Sequence, residues 1–241
     1  MARHALCLAA LAGTLAASAG VSQAAFFSSF DTYANGQQLS ANGGWQGWDN
    51  VASVAGIVDS SISYTSGNSL RIGSGYTDAV QTYSGVNSGI WNFSTRQYIS
   101  SGQTGSTYVI LMNQYADGGN TSSAMWSVQL NFDLANGVVR DDFRGGSVAI
   151  AFNQWSTVDI AINLASNTIS QYYNGTLVAS GTWTTAAGSA LNVAAVDLYT
   201  AGGNTAFYDD VSLVSAAAIP TPGTFSLASL GLLLAGSRRR R

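Results

Sequence analysis

The stretch MWSVQLNFDLANGVVRDDF, residues 125–143, opens with strict alternation: Trp126, Val128, Leu130, Phe132 and Leu134 on one phase, Ser127, Gln129, Asn131 and Asp133 on the other. A period of two predicts a strand with one face buried and one face wet. Asn136-Gly137 then offers the two positive-φ positions of a type I′ turn, and GVVRDDF continues as the partner strand. The pattern recurs downstream as WSTVDIAIN (155–163), NTISQYY (167–173), Asn174-Gly175 and TLVASGTW (176–183), with Val158, Ile160 and Ile162 alternating with Thr157, Asp159 and Ala161. Two Asn-Gly hairpins in one chain predict an antiparallel meander.

The rest of the region 26–214 fits this reading. STYVILMNQY (106–115) is apolar in both phases, as expected of a central strand covered on both sides. No helical stripe and no proline occur between residues 26 and 214, and the segments between strands are rich in Gly, Ser, Thr and Asn. The expected fold is all-β: an antiparallel β-sandwich of jelly-roll type.

Composition narrows the chemistry. Every basic residue is Arg, apart from the single His, and every acidic residue is Asp; Lys and Glu are absent from the 241 residues. Residues 1–25 read as a secretory signal peptide: Arg3 and His4, then the apolar run LCLAALAGTLAASAG, then small residues before Phe26. The only Cys (Cys7) and the only His (His4) lie in this segment, so the exported domain has neither. A Ser/His/Asp triad, a Cys nucleophile with its His, and a Schiff base are thereby excluded, and so is a disulfide framework. Four arginines stand against twelve aspartates over residues 26–218, a net charge of −8. That balance repels nucleic acid and attracts divalent cations.

Several segments carry a resemblance. WSTVDIAINLASNTISQYYNGTLVASGTW (155–183), SGNSLRIGS (66–74), FYDDVSLV (207–214) and SFDTYANGQQLSANGGWQGWD (29–49) resemble stretches of laminin-G-like and concanavalin A-like jelly rolls. The resemblance spans most of residues 28–214 and implies a sandwich with sugar-binding relatives. Glucanases of the concanavalin A-like fold use paired carboxylates, normally glutamates, and this chain has no Glu. Aspartates can in principle serve, but adjacent Asp141 and Asp142 on a strand point to opposite faces. The expected protein is not an enzyme.

Three places are candidate binding sites. Trp45 and Trp48 in GGWQGWDN form either a sugar-stacking platform or a packing anchor; Trp91, Trp126, Trp155 and Trp183 are expected in or near the core. YADGGNTSS (115–123) and YTAGGNTAF (199–207) share Gly-Gly-Asn-Thr, so Asp117, Asn120 and Asn204 either present polar atoms to a sugar or serve turns. In FYDDVSLV, a regular strand puts Asp209 in phase with Phe207, Val211 and Leu213, and a buried carboxylate needs a partner, a proton or a metal. Asp31, Asp209 and Asp210 are the candidate ligands of a structural Ca²⁺; the alternative is that Asp209 accepts backbone amides or arginine, or that a bulge turns it outward.

After a linker at 215–219 come Pro220-Thr221-Pro222, an apolar segment, and Arg238, Arg239, Arg240 and Arg241. Residues 224–237 as a helix reach about 21 Å, against a hydrocarbon core of about 30 Å, so a short C-terminal transmembrane segment is expected. The arginines would hold the C-terminus in the cytoplasm and place residues 26–214 outside, the topology a signal peptide also gives. This ending, residues 220–241, resembles the PEP-CTERM sorting signal of Gram-negative bacteria that make exopolysaccharide, with Thr221 where the family has Glu. The resemblance implies an exosortase-type membrane protease and the secretion machinery as partners, and a final location in the cell envelope or extracellular matrix. The expected function is thus an exported, non-catalytic surface or matrix protein associated with extracellular polysaccharide, or alternatively a Ca²⁺-dependent lectin-like module.

Overall fold

In a computed structural model the structure describes residues 24–65, 67–118 and 125–216. The expected signal and C-terminal helices, Asn120, and the sorting residues Pro220, Thr221, Pro222 and Arg238–Arg241 lie outside them. Fifteen strands run in chain order: β1 (Ala24–Ser28), β2 (Trp45–Gln46), β3 (Ile57–Asp59), β4 (Ser69–Ile72), β5 (Asp78–Thr82), β6 (Ile90–Ile99), β7 (Ser106–Gln114), β8 (Met125–Asp133), β9 (Val138–Asp141), β10 (Gly145–Ala149), β11 (Trp155–Asn163), β12 (Thr168–Tyr173), β13 (Thr176–Thr182), β14 (Ala195–Ala201) and β15 (Ala206–Ser215). Two 3-10 turns, Trp48–Asn50 and Ala52–Val54, are the only helical elements among the described residues.

The strands form two antiparallel sheets. The first has the order β13-β12-β11-β6-β15-β4-β3, with β1 also paired to β15; the second has β10-β9-β8-β7-β14-β5-β2. The first and last strands are thus hydrogen-bonded to one another, Ser28 opposite Val211. Alternation dictates what lies between the sheets: Val128, Leu130 and Phe132 of β8 join Val158, Ile160 and Ile162 of β11 in one hydrophobic core. The sandwich expected from the sequence is present.

Both Asn-Gly hairpins form, with different turns. Asn174 and Gly175 both take positive φ (48° and 74°), and they join β12 to β13 as a two-residue type I′ turn. Between β8 and β9 the loop has four residues and only Gly137 takes positive φ. Asp133 captures Asn136 instead, accepting from its amide at 3.1 Å and its side chain at 2.8 Å. A local carboxylate thus overrides the two-residue turn expected there.

A buried ionic clamp ties the sheets at one edge. Asp141 of β9 accepts from the Arg144 guanidinium at 2.8 Å, from the amides of Phe143 and Arg144, and from the Gln171 side chain of β12. Arg144 in turn donates to the Ser127 carbonyl of β8 at 2.8 Å and the Thr182 carbonyl of β13 at 2.5 Å. Asp142 turns to the other side, onto Gln129, Asn131 and Arg140, so the two adjacent aspartates do face apart.

Candidate functional site

The outer face of the second sheet carries a cleft of about 320 Å³ lined by Trp48, Asp78, Tyr108, Ile110, Trp126, Gln129, Asp197 and Tyr199. Its origin is the double phase of β7. Val109 and Leu111 point into the core, while Tyr108, Ile110 and Met112 fall on the opposite phase; Ile110 and Met112 form a second buried apolar cluster with Val80 and Ala195, and Tyr108 and Ile110 line the cleft. Trp48, Tyr108, Tyr115, Trp126 and Tyr199 pack against this outer apolar phase. Trp48 and Trp126 lie nearly parallel, 6.2 Å apart at 9°, and Tyr108 and Tyr199 stack at 5.6 Å and 26°.

Trp48 reaches this face because the chain turns back after β2. Trp45 points inward and Gln46 outward on that strand; the 3-10 turn at Trp48–Asn50 then folds over the sheet. Gly47 permits the fold-back: a Cβ there would sit 2.1 Å from the Val51 carbonyl oxygen. Tyr115 fixes the turn, meeting the Trp48 ring edge-on at 5.2 Å while its hydroxyl accepts from the Asp49 amide at 3.0 Å and from Gln46 at 3.3 Å. Gln46 also donates to Asp117.

Two carboxyls occupy the acidic end. Asp197 of β14 pairs with Val80, and Tyr199 pairs with Asp78 of β5, so the aspartates are diagonal neighbours on one face. Asp197 is 3% exposed, and its Oδ1 has no hydrogen-bond partner. Asp78 accepts from the Thr77 hydroxyl at 2.6 Å. Burial, with Asp78 as like-charge neighbour, holds the Asp197 carboxyl well above the ordinary carboxylate range. Burial also raises Asp78, against the bond from Thr77.

The residues predicted from sequence separate on this frame. Trp45 is fully buried, packed against Phe26 and Phe30, so the stacking reading is corrected for this residue: it has no face to offer a sugar. Trp48 and exposed Asp117 come together beside the cleft. Asn204 is buried in a turn, donating to the carbonyls of Ser106 and Ala201 at 2.9 and 2.8 Å and accepting from Thr200. Of the first Gly-Gly-Asn-Thr only Gly118 lies within the described residues; the second follows Ala201, which pairs with Ser106 at the start of β7, about 26 Å from Gln114 at its end at about 3.3 Å per residue. Of the remaining tryptophans, Trp183 is core, Trp91 packs against the core, Trp155 meets Tyr64 and Tyr98, and Trp126 belongs to the cleft.

The regular strand expected for FYDDVSLV is interrupted by a bulge. Register shifts between Asp209 and Ser212, and Asp210 takes φ 47°. Val211 and Leu213 consequently return to the core with Tyr208, while Asp209 pairs opposite Arg96 with Phe207 on the other phase. Asp209 is fully buried there, accepting from the amides of Tyr64 at 3.0 Å and Asp210 at 2.8 Å. Burial pushes its carboxyl up to about 6 against these two amides, with Asp210 and Asp31 adding like charge. Asp31 accepts from the Asn68 amide at 2.9 Å. No group of three or more acidic, His or Cys side chains within metal-binding reach occurs among the described residues, so Asp31, Asp209 and Asp210 do not form a carboxylate cage. Any Ca²⁺ there would draw its remaining ligands from backbone carbonyls.

Sequence reasoning missed Asp78, Asp197, Tyr108 and Tyr199. The signal was present for Asp197: in VAAVDLYT it stands amid an apolar run, the same anomaly that singled out Asp209.

No family model and no curated protein matches the chain. Among solved structures the fold is similar to the cellulose-induced protein Cip1 (TM-score 0.53, 13% identity, 79% of this chain and 97% of that one). It is similar also to the alginate lyase Aly36B, solved as a mutant with alginate trisaccharide (TM-score 0.53, 14% identity, 80% and 99%). A sialidase matches at TM-score 0.50 and 12% identity over 81% of this chain, which spans 20% of the sialidase. These likenesses establish a jelly-roll-like β-sandwich fold.

Proposed function

We propose that the protein is an exported, non-catalytic β-sandwich that holds polysaccharide in the aromatic cleft of its second sheet. The observation that carries this reading is the pair of aromatic stacks, Trp48 with Trp126 and Tyr108 with Tyr199, flanking a concave surface with Asp78, Gln129 and Asp197 as polar groups. Flat apolar faces bury the C–H surfaces of pyranose rings, and a few polar groups orient hydroxyls. The cleft volume lies at the lower end of the range for ligand pockets, enough for one or two sugar rings. Glycan-array binding by the full chain, lost on Trp126→Ala, is the expected result; an array with no hits sinks the reading. Incubation with the bound glycan should release no new reducing ends; release abolished by Asp197→Asn would make the protein a hydrolase using its two carboxyls.

The location follows from the sequence of the two ends. In our reading the C-terminal Pro-Thr-Pro, apolar and arginine segments act as a PEP-CTERM-like signal, processed by an exosortase-type protease, that delivers the domain to the cell surface or the exopolysaccharide matrix. Replacing Arg238–Arg241 with alanine should change the fractionation between membrane and medium in a Gram-negative host carrying an exosortase; unchanged fractionation would remove the sorting role. Ca²⁺ at Asp31, Asp209 and Asp210 is a second element of the proposal, supported by the like charge that Asp210 and Asp31 bring to the buried Asp209 carboxyl, none of the three being in a described ion pair. These residues belong to β15 and its surroundings in the first sheet, so the ion would stabilise the fold and leave the sugar site on the second sheet unchanged.

A further inference from the structure

The cleft is acidic, and no basic side chain lines it. Groups facing Asp197 come from four strands and one turn: Asp78 of β5, Tyr108 and Ile110 of β7, Trp126 and Gln129 of β8, Tyr199 of β14, and Trp48. None is basic. The described arginines are engaged elsewhere: Arg71 with Asp59, Arg140 with Asp133 and Asp142, Arg144 with Asp141, and Arg96 over the Tyr64 ring at 4.5 Å. Asp197 is thus a 97%-buried side chain with an unpartnered Oδ1, adjacent to a second carboxyl and to a surface open to ligand. Leaving a buried carboxylate unpaired is costly, and no basic side chain among the described residues pairs with Asp197.

The chemistry that fits is an organic ammonium. A hard metal ion takes six or more oxygen ligands, whereas this cleft offers two carboxyls, one amide and four aromatic rings. Aromatic faces attract an ammonium through their quadrupoles, and carboxylates accept its hydrogens. A polyanionic glycan meets the opposite: two like charges and no arginine. Building on the glycan-binding reading above, we infer that the cleft selects amine-bearing polysaccharide, with a glucosamine-type ring against the aromatic stacks and its ammonium directed to Asp78 and Asp197.

Arrival of the ammonium favours the ionised carboxyls and works against burial, which raises both, so binding at slightly acidic pH should release protons. The test is calorimetric titration of the full-chain protein at slightly acidic pH with chitosan oligosaccharides, their fully N-acetylated counterparts, cello-oligosaccharides and alginate oligosaccharides. The expected result is at least tenfold tighter binding of the amine form than of the acetylated form, with proton release measurable across buffers of different ionisation enthalpy. In Asp78→Asn and in Asp197→Asn the amine form should bind no tighter than the acetylated form, with a cooperative thermal melt showing that each variant is folded. Equal binding of the amine and acetylated forms, or a preference that survives both variants, overturns the amine assignment and leaves the glycan site standing. Binding of none of the four overturns both.

Discussion

Trp45 and Trp48 are three residues apart and do opposite jobs, and alanine substitution separates them. Trp45 is fully buried against Phe26 and Phe30, at ring separations of 5.8 and 5.5 Å. Truncating such a side chain costs about 3–5 kcal/mol. For a domain of this size the thermal midpoint falls by about 2–4 °C per kcal/mol, so Trp45→Ala should lower it by roughly 6–20 °C. Ligand affinity of the folded fraction should be unaltered. Trp48 is half-buried and would lose two aromatic contacts, each worth about 0.5–1.5 kcal/mol. Its larger effect is on binding: loss of a stacked anchor costs about 2–4 kcal/mol, or roughly 30- to 700-fold in Kd. Differential scanning calorimetry and glycan titration on both variants, with Trp45→Phe as the milder core change, measure the two effects. Glycan binding lost in a folded Trp45 variant, or unchanged in Trp48→Ala, would refute the division of roles.

Three further outcomes are expected. Arg144→Met strips Asp141 of its guanidinium inside the sheet-edge clamp and should cost about 3–5 kcal/mol in urea unfolding; a loss below about 1 kcal/mol would show that the clamp contributes little. A carboxyl raised in the folded state contributes stability below its unfolded value, 3.8 here, and that stability is lost as pH rises through the folded value. Asn at position 197 loses nothing over this range, so the stability of Asp197→Asn relative to wild type, measured in chelator, should improve steadily as pH rises; a gap independent of pH would contradict the buried-acid reading. Finally, Ca²⁺ should raise the thermal midpoint of the full chain over that in chelator, and Asp209→Asn should remove the difference; an unchanged wild-type midpoint would eliminate the ion.

The alternation in MWSVQLNFDL and WSTVDIAIN was sufficient to read the sandwich, because a strand with one wet face writes its burial into every second residue. Features that break the period were harder to read. The bulge at Asp209 and Asp210 reverses the phase of β15, and nothing in FYDDVSLV announces it before Asp209 is seen to be incompatible with the core. Asp133 similarly redirected the Asn136-Gly137 turn through side-chain bonds that propensity does not count. Trp48 was read from the Gly-rich GGWQGWDN stretch, and Asp117, which lies beside the cleft, from its place next to Gly-Gly-Asn-Thr. Trp45 was not separable from Trp48, although a spacing of three along an extended chain already sends two side chains to opposite faces. STYVILMNQY was read as covered on both sides, and residues 109–113 are buried in both phases; what the sequence did not announce is that Tyr108 and Ile110 of the outer phase also line a cleft. Asp78 and Asp197 become a pair only through the β5–β14 register, which joins residues more than a hundred positions apart.

The central claim is that sugar sits between the aromatic stacks of the second sheet. A crystal structure of the protein with a bound oligosaccharide tests it most directly. The account predicts a sugar ring against Trp48, Trp126 or the Tyr108–Tyr199 pair, with polar atoms within hydrogen-bond distance of Asp78 or Asp197; a sugar ordered on the first sheet or at the loop ends, with this cleft empty, would contradict it.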